Sequence, residues 1–181
     1  MKKTKKQSKL RAFFKSAFYK VSLRVVLIIV VLVSLLLNLF TFITPVVKYY
    51  GEGMSDTLSD GQILIVSKLS RIESGDIIAF YYNNKVLVRR VIATGSQQVE
   101  IDAFGSVSVN GNELDESYVS NKTLGQCNID FPYSVPAGSY FVLGDNRALA
   151  MDSRLSEIGT VAKDRIIGKV IFSIKPFGFV K

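Results

Sequence analysis

The sequence contains no histidine, no tryptophan and a single cysteine, Cys127. Without histidine, the chain cannot form a Ser-His-Asp or Cys-His catalytic group, or a histidine-ligated metal site. One cysteine can form neither an intrachain disulfide nor a Cys-x-x-Cys site. We therefore interpret Cys127 as a small, partly buried residue, and the sequence predicts no cofactor and no metal.

Acidic residues are absent from the beginning of the chain. Residues 1–24 contain nine of the 23 Lys and Arg residues and none of the 15 acidic residues, so the rest of the chain is almost neutral. A nucleic-acid-binding protein would carry its basic patch on the folded domain, so we expect no nucleic-acid partner. The basic segment 1–24 is predicted to be cytoplasmic. Leu10 to Val21 could form an amphipathic helix on anionic lipid, or the segment could be a flexible tail that only sets topology.

Residues 25–44 form a run of 20 residues without a charge, ending at Pro45. A helix of that length spans about 30 Å, the thickness of the bilayer hydrocarbon. The positive charges before the run place the N-terminus in the cytoplasm. A cleaved signal peptide is the alternative, but the run is too long for one and no Ala-x-Ala follows it. We therefore expect an uncleaved, single-pass anchor in the cell membrane, with residues 45–181 outside the cytoplasm.

Beyond the anchor, short apolar and β-branched runs alternate with turn-forming residues such as Asn83-Asn84 and Asn110-Gly111. This rhythm is typical of antiparallel β-sheets. The strands are predicted at 62–67, 76–82, 85–93, 99–101, 106–109, 140–143 and 166–174. Residues 112–135 are polar and irregular, which predicts a loop-rich excursion. The fold class is therefore mainly β, preceded by one transmembrane helix.

Three stretches are candidates for one functional site: GEGMSDTL (51–58), VLVRRVIA (86–93) and GDNRALAMDSR (144–154). Together with SGDIIAF (74–80) and NGNELDESYV (110–119), they resemble, in the same order, the motifs of Gram-positive type I signal peptidases. Those proteins are membrane-bound Ser/Lys endopeptidases that remove signal peptides from exported proteins. The resemblance implies an antiparallel β core with a small inserted cap, here at about residues 96–136.

The resemblance also implies which residues stand at the catalytic positions. In the family, a serine before the methionine of the first motif attacks the scissile carbonyl, and a buried, neutral lysine is its base. Here the nucleophile position is Gly53 and the base position is Arg89, whose guanidinium stays protonated. Ala150 stands where a serine orients the lysine, and Asp56 replaces a proline. The prediction is that the chain has lost the Ser/Lys dyad and is not an enzyme.

Many other residues of these motifs match the family pattern and are predicted to line or shape the cleft. With Asp56, this set comprises Met54, Thr57, Leu58, Arg90, Gly144, Asp145, Asn146, Arg147, Asp152, Ser153 and Arg154. Asp145 with Arg147, and Asp152 with Arg154, are predicted to form acid–base sets that hold the loop in shape. The alternative is that both are exposed pairs of little energetic value.

A relocated active site is the alternative to lost catalysis. Ser55 is the candidate nucleophile; in an extended strand it would face the same side as Gly53, about 7 Å further along. Lys85 and Lys68 are candidate bases, although Lys85 follows a predicted turn and should be exposed. Both partners would have to be rebuilt together for this to work.

Arg89 raises a separate question, because a guanidinium within an apolar strand needs an acceptor. We expect it to pair with Asp56 or Glu52 across the cleft, since Asp56 also departs from the family pattern. The alternative is that its side chain extends to solvent.

Three functions follow from these predictions. The leading one is a groove that binds an extended peptide as an added strand. The pattern of loss is similar to that of signal-peptidase-like proteins of Gram-positive pilus gene clusters, which implies a pilus-assembly chaperone with a pilin or a sortase as partner. The second is an active signal peptidase using Ser55, and the third is a scaffold or regulator of the secretion machinery.

Overall fold

The structure is a computed structural model that describes the backbone of residues 2–174 and 176–180, and the side chains of residues 21–174 and 176–180. The predicted lipid contacts of the basic segment therefore lie largely outside the described side chains. The chain divides into two compact units, the first ending at Phe42 and the second beginning at Ile43.

The first unit consists of one long helix, α1, which runs from Lys2 to Ile43. Its part from Val21 to Ile43 is long and apolar enough to cross a membrane, with a mean hydropathy of 3.0. The side chains along this part are exposed, as expected of a surface whose solvent is lipid. The helix ends just before Pro45, which has no N–H to continue it. The prediction of one N-terminal apolar helix is confirmed.

The second unit is built of antiparallel strands and one short 3₁₀-helix, Lys163–Arg165. The strands are β1 Val46–Lys48, β2 Ile63–Ser67, β3 Ile77–Tyr82, β4 Lys85–Thr94, β5 Gln98–Ile101, β6 Val107–Val109, β7 Asn112–Glu113, β8 Tyr133–Ser134, β9 Ser139–Leu143, β10 Val161–Ala162, β11 Ile166–Ser173 and β12 Gly178–Phe179. The mainly β fold class is confirmed, and each predicted strand is present with ends within one residue of those expected. The additional strands are only two or three residues long, too short to leave a periodic signal.

The strands form two sheets. The larger has the order β1-β2-β11-β3-β4-β9-β10, with β12 also paired to β11. The smaller has the order β7-β6-β5-β8 and is contributed by residues between β4 and β9. Buried residues of the smaller sheet, such as Val99 and Val107, share one apolar cluster with Phe141 and Leu143 of β9. The smaller sheet is therefore packed onto the same strand that leads into the stretch 144–154.

Two-residue turns set the register of the hairpins. Asn83 and Asn84 have φ of 43° and 58°, and Asn110 and Gly111 have φ of 52° and 78°. Positive φ at both central residues matches the right-handed twist of the flanking strands. The first of these turns begins β4, the ten-residue interior strand that lies between β3 and β9. This position carries Arg89 and Arg90 into the middle of the larger sheet.

Candidate active-site cleft

The three stretches singled out in the sequence meet at Gly53. A Cβ added to Gly53 would stand 2.9 Å from Nη2 of Arg89 and 3.2 Å from Cα of Ala150. The backbone N–H of Asn146 donates a hydrogen bond to the carbonyl oxygen of Gly53, at 3.2 Å. Residues far apart in sequence thus enclose one small volume, which any side chain at position 53 would have to share with a guanidinium.

The stretch 51–58 is a series of turns rather than a strand. The N–H of Ser55 donates to the carbonyl of Glu52 at 3.0 Å, and the N–H of Leu58 donates to that of Met54 at 2.6 Å. Met54 and Leu58 are buried in the apolar cluster of the larger sheet and fix these turns to the core. The extended geometry assumed for Ser55 is therefore wrong, because local backbone hydrogen bonds curl this segment.

Ser55 lies at the exposed side of these turns. Its Oγ accepts a hydrogen bond from Nδ2 of Asn146, at 2.8 Å. In the described part of the chain, no Lys side chain is bonded to it. Lys85 is exposed at the start of β4, four residues before Arg89, or about 13 Å along a strand. Lys68 is also exposed, in the loop after β2.

Arg89 is buried, with only 6% of its surface exposed. Its Nε donates to the carbonyl of Met151 at 2.9 Å, and its Nη1 donates to the carbonyl of Val88 at 2.6 Å. No carboxylate among the described residues forms a salt bridge with it. Burial lowers the pKa of Arg89 below its ordinary value, since desolvation disfavours the charged form.

Both expectations for Arg89 are therefore wrong. It does not pair with Asp56 or Glu52, and it does not extend to solvent. Asp56 instead accepts a hydrogen bond from the backbone N–H of Ser120, at 2.7 Å. The physical reason is that the carbonyls of Val88 and Met151 hold the guanidinium inside the cleft, away from the exposed residues Glu52 and Asp56.

Arg90, and not Arg147 as predicted, forms the ion pair with Asp145. Its Nε and Nη2 donate to the two oxygens of Asp145 at 2.9 and 2.6 Å, and its Nη1 donates to the carbonyl of Gly75 at 2.8 Å. Thr57 Oγ1 donates to the same carboxylate. The Tyr118 ring centroid lies 3.9 Å from Cζ of Arg90, which adds a cation–π contact.

The predicted set of Asp145 and Arg147 is wrong, since Arg147 pairs with Glu116. Nη2 and Nη1 of Arg147 lie 2.5 and 3.2 Å from the two carboxylate oxygens, and both side chains are at most 1% exposed. Glu116 was missed because it lies in the polar segment 112–135, which reads as surface. The only signal in the sequence is that a buried Arg requires a buried acid.

The second predicted set, Asp152 with Arg154, is present and is buried rather than exposed. Nε and Nη2 of Arg154 donate to the two carboxylate oxygens at 2.9 and 2.8 Å. Asp152 also accepts the N–H of Gly144 at 3.0 Å, and Arg154 donates to the carbonyl of Arg147 at 2.9 Å. Ser153 Oγ accepts the N–H of Val142 at 2.9 Å. These contacts fold the stretch 144–154 back on itself.

The rim of the cleft carries residues that the sequence did not reveal. Ala150 is buried against Gly144, where an added Cβ would collide with the Ala150 Cβ and with the carbonyl of Gly53. The flanking residues Leu149 and Met151 are 58% and 52% exposed. Two large apolar side chains thus stand in solvent on either side of a buried alanine at the site.

Comparison with known proteins identifies relatives of this chain. A sequence profile of the family described as "Signal peptidase, peptidase S26" matches residues 22–175. Signal peptidase I of Bacillus amyloliquefaciens is 36% identical over 157 residues, covering 80% of this chain and 79% of that one. Signal peptidase IB of Staphylococcus aureus (strain Mu50) is 32% identical over 167 residues, covering 81% and 86%.

A solved structure is also similar to this chain. It is the crystal structure of a signal peptidase I from Enterococcus faecalis V583, which is 28% identical and has a TM-score of 0.48. The similarity covers 57% of this chain and 99% of that one.

The prediction that the chain is not an enzyme is wrong, because relatives at 32–36% identity are named as signal peptidases. That prediction depended on four positions, Gly53, Asp56, Arg89 and Ala150, whereas the similarity extends over about four fifths of the chain. The profile and the relatives together show that this chain belongs to the signal peptidase family, peptidase S26.

Proposed function

We propose that this chain is a single-pass cell-membrane protein whose domain of residues 45–181 binds extended peptides of exported proteins outside the cytoplasm. The nine basic residues of the segment 1–24 support a cytoplasmic N-terminus, because positive charge is retained on that side. The smaller sheet, at residues 98–134, serves in this proposal as the cap insertion of about 96–136.

The convergence of three stretches around Gly53 is the observation that carries this proposal. The cleft is lined by backbone and by a buried cation, and Leu149 and Met151 flank it as exposed apolar side chains. An extended peptide that adds to such a cleft gains main-chain hydrogen bonds for affinity and side-chain contacts for selectivity. Signal peptides are apolar and end in small residues, which matches an apolar rim around a confined centre.

Peptide binding is tested with the full chain in lipid nanodiscs. The probe is a fluorescent decapeptide with an apolar segment and the ending Ala-Gln-Ala, and binding is followed by fluorescence anisotropy. Leu149→Asp and Met151→Asp should each weaken binding by about tenfold or more, because an apolar contact is replaced by a charge. Phe104→Asp is the matched control, since Phe104 is 82% exposed but lies between β5 and β6. Equal affinity in all four proteins would refute the cleft as the binding site.

A more specific partner is proposed on the resemblance to the signal-peptidase-like proteins of pilus gene clusters. In this version the bound peptide belongs to a pilin, which the protein presents to a sortase. Gly53 and Arg89, in place of serine and lysine, support it, because this pattern of loss is similar to that of those proteins. Deletion of the protein should then abolish polymerised pili on the cell surface, and unchanged pili would contradict the proposal. Capture of an active signal peptidase in place of pilin would favour the role of a scaffold of the secretion machinery.

Endopeptidase activity through Ser55 is the second candidate function. Two observations favour it: Ser55 Oγ is held by Asn146 within the same cleft, and the curated relatives are named as signal peptidases. Incubation of the nanodisc-bound chain with a full-length preprotein tests it by mass spectrometry of the products. Cleavage that is lost in Ser55→Ala, and retained in the control Ser59→Ala, would establish it. Intact preprotein after incubation with the wild-type chain would exclude it.

A further inference from the structure

Arg89 has hydrogen-bonding capacity that the protein does not use. A guanidinium carries five N–H donors. Two of the five are used, by the carbonyls of Met151 and Val88. The remaining donors include both N–H groups of Nη2, to which the described part of the chain offers no acceptor. Among the described residues, no buried side-chain nitrogen or oxygen lacks a hydrogen-bond partner, so Nη2 contributes to the 6% of Arg89 that is exposed and can be reached by a ligand.

The charge of Arg89 also lacks a carboxylate of its own. Asp152 is the carboxylate with the largest electrostatic influence on it, but both oxygens of Asp152 are bound by Arg154. Asp145 is bound in the same bidentate way by Arg90. A buried cation without an ion-pair partner is costly. Burial accordingly lowers the pKa of Arg89, and an anion at its free end would relieve that cost.

The end of Arg89 that carries Nη2 lies beside Gly53. Nη2 is 2.9 Å from the point where a Cβ on residue 53 would stand, so the guanidinium packs against Gly53 in space that any larger residue would need. The same point lies 3.2 Å from Cα of Ala150, whose chain neighbours Leu149 and Met151 are exposed. A peptide bound along this rim would pass its backbone, or its end, close to Nη2.

We propose that Arg89 is a carboxylate-binding residue, so that the cleft selects peptides that present a carboxylate at Gly53. A free C-terminal α-carboxylate, such as a cleaved signal peptide carries, is the first source of this group, and an internal Glu or Asp side chain is the second. The planar guanidinium suits either, because its two terminal nitrogens match the two oxygens of a carboxylate. This inference depends on the proposed peptide-binding function and specifies its ligand.

The test uses three decapeptides of otherwise identical sequence with the full chain in nanodiscs. The first ends in a free carboxylate, the second in a carboxamide, and the third in a carboxamide with one internal Glu near its end. We expect the free acid to bind about 10- to 100-fold more tightly than the amide, as for a charge-assisted hydrogen bond. Tight binding of the third peptide alone would assign the internal source. Equal affinity of all three would overturn the carboxylate site.

Variants then connect this preference to Arg89. Arg89→Gln should abolish the difference between acid and amide, and Arg89→Lys should retain part of it because the charge is kept. Arg71→Gln is the control, since the Arg71 side chain is 89% exposed. The comparison of acid with amide in the wild-type chain needs no variant, so it holds even if Arg89→Gln fails to fold. Binding of all three peptides without preference rejects only the carboxylate site, whereas binding of none rejects the peptide-binding function itself.

Discussion

Replacing Glu116 by Gln should destabilise the domain far more than the same replacement of Glu113, an exposed glutamate of β7. Glu116 is buried and holds both terminal nitrogens of Arg147. The side chains of the two residues are 0% and 1% exposed. Glutamine keeps the shape of the side chain but removes the charge, so the guanidinium of Arg147 would remain buried with a neutral neighbour.

The expected loss follows from the geometry of this pair. Breaking a buried ion pair by removing one partner costs about 3–5 kcal/mol, because an uncompensated charge stays in the interior. The lower end, about 3 kcal/mol, applies here for two reasons. The Gln amide oxygen can still accept one hydrogen bond, and Arg147 keeps its bond from Nε to the carbonyl of Gly144 at 3.0 Å.

Urea unfolding of the full chain in micelles, followed by near-ultraviolet circular dichroism, measures this change. Glu113→Gln is the matched control, since Glu113 pairs with Lys122 at 3.8 Å on the surface, with side chains 68% and 38% exposed. A pair of this kind contributes less than about 1 kcal/mol. If Glu116→Gln lowered the unfolding free energy no more than Glu113→Gln, the buried pair of Glu116 and Arg147 would not stabilise the domain.

Three further predictions follow from close contacts and burial. Gly53→Ala should cost about 1–3 kcal/mol through its clash with Arg89, and adding Arg89→Lys should recover part of that loss in a double-mutant cycle, whereas strict additivity would contradict the contact. Gly105→Ala should be more destabilising than Gly111→Ala in thermal unfolding, because both have positive φ but only the first meets facing backbone. Burial raises the pKa of Tyr118 above its ordinary value, so the unfolded chain loses the phenol proton first. The contribution of Tyr118 to the free energy of unfolding should therefore be fully present below about pH 10 and be lost above it. The free energy of unfolding should fall less steeply above that pH in Tyr118→Phe, and an unchanged slope would contradict this.

Most of the fold could be predicted because its signals are local. The sequence shows an uncharged run in α1 and apolar, β-branched runs in β2, β3, β4 and β11. Such runs indicate a helix or a strand by their length and period. Asn-rich dipeptides marked the hairpins because few other residues adopt positive φ. Strands of two residues, such as β7 and β8, are too short to leave such a pattern, and β8 is also paired with a strand, β5, that is distant in sequence.

The partners of charged residues could not be predicted in the same way. Asp145 is close to Arg147 in sequence, yet it binds Arg90, which is 55 residues away. Glu116 lies in a polar segment that is typical of a solvated loop, yet its side chain is buried against Arg147. Pairing in the interior depends on which side chains the strands bring together, and sequence proximity within a loop does not determine this. The exposure of Leu149 and Met151 escaped prediction for the same reason.

Arg89 and Arg90 show how one strand can divide structural and binding roles between adjacent residues. Successive side chains on a strand point to opposite faces, and these two guanidinium groups have entirely different partners. Arg90 donates hydrogen bonds to Asp145 and Gly75 and thereby attaches the stretch 144–154 to the sheet. Arg89 uses two donors on carbonyls and keeps the rest for the cleft. Because Arg90 and the buried pairs of Arg147 and Arg154 already fix the surrounding loops, the position of Arg89 does not depend on a carboxylate of its own, which leaves its charge available to a ligand.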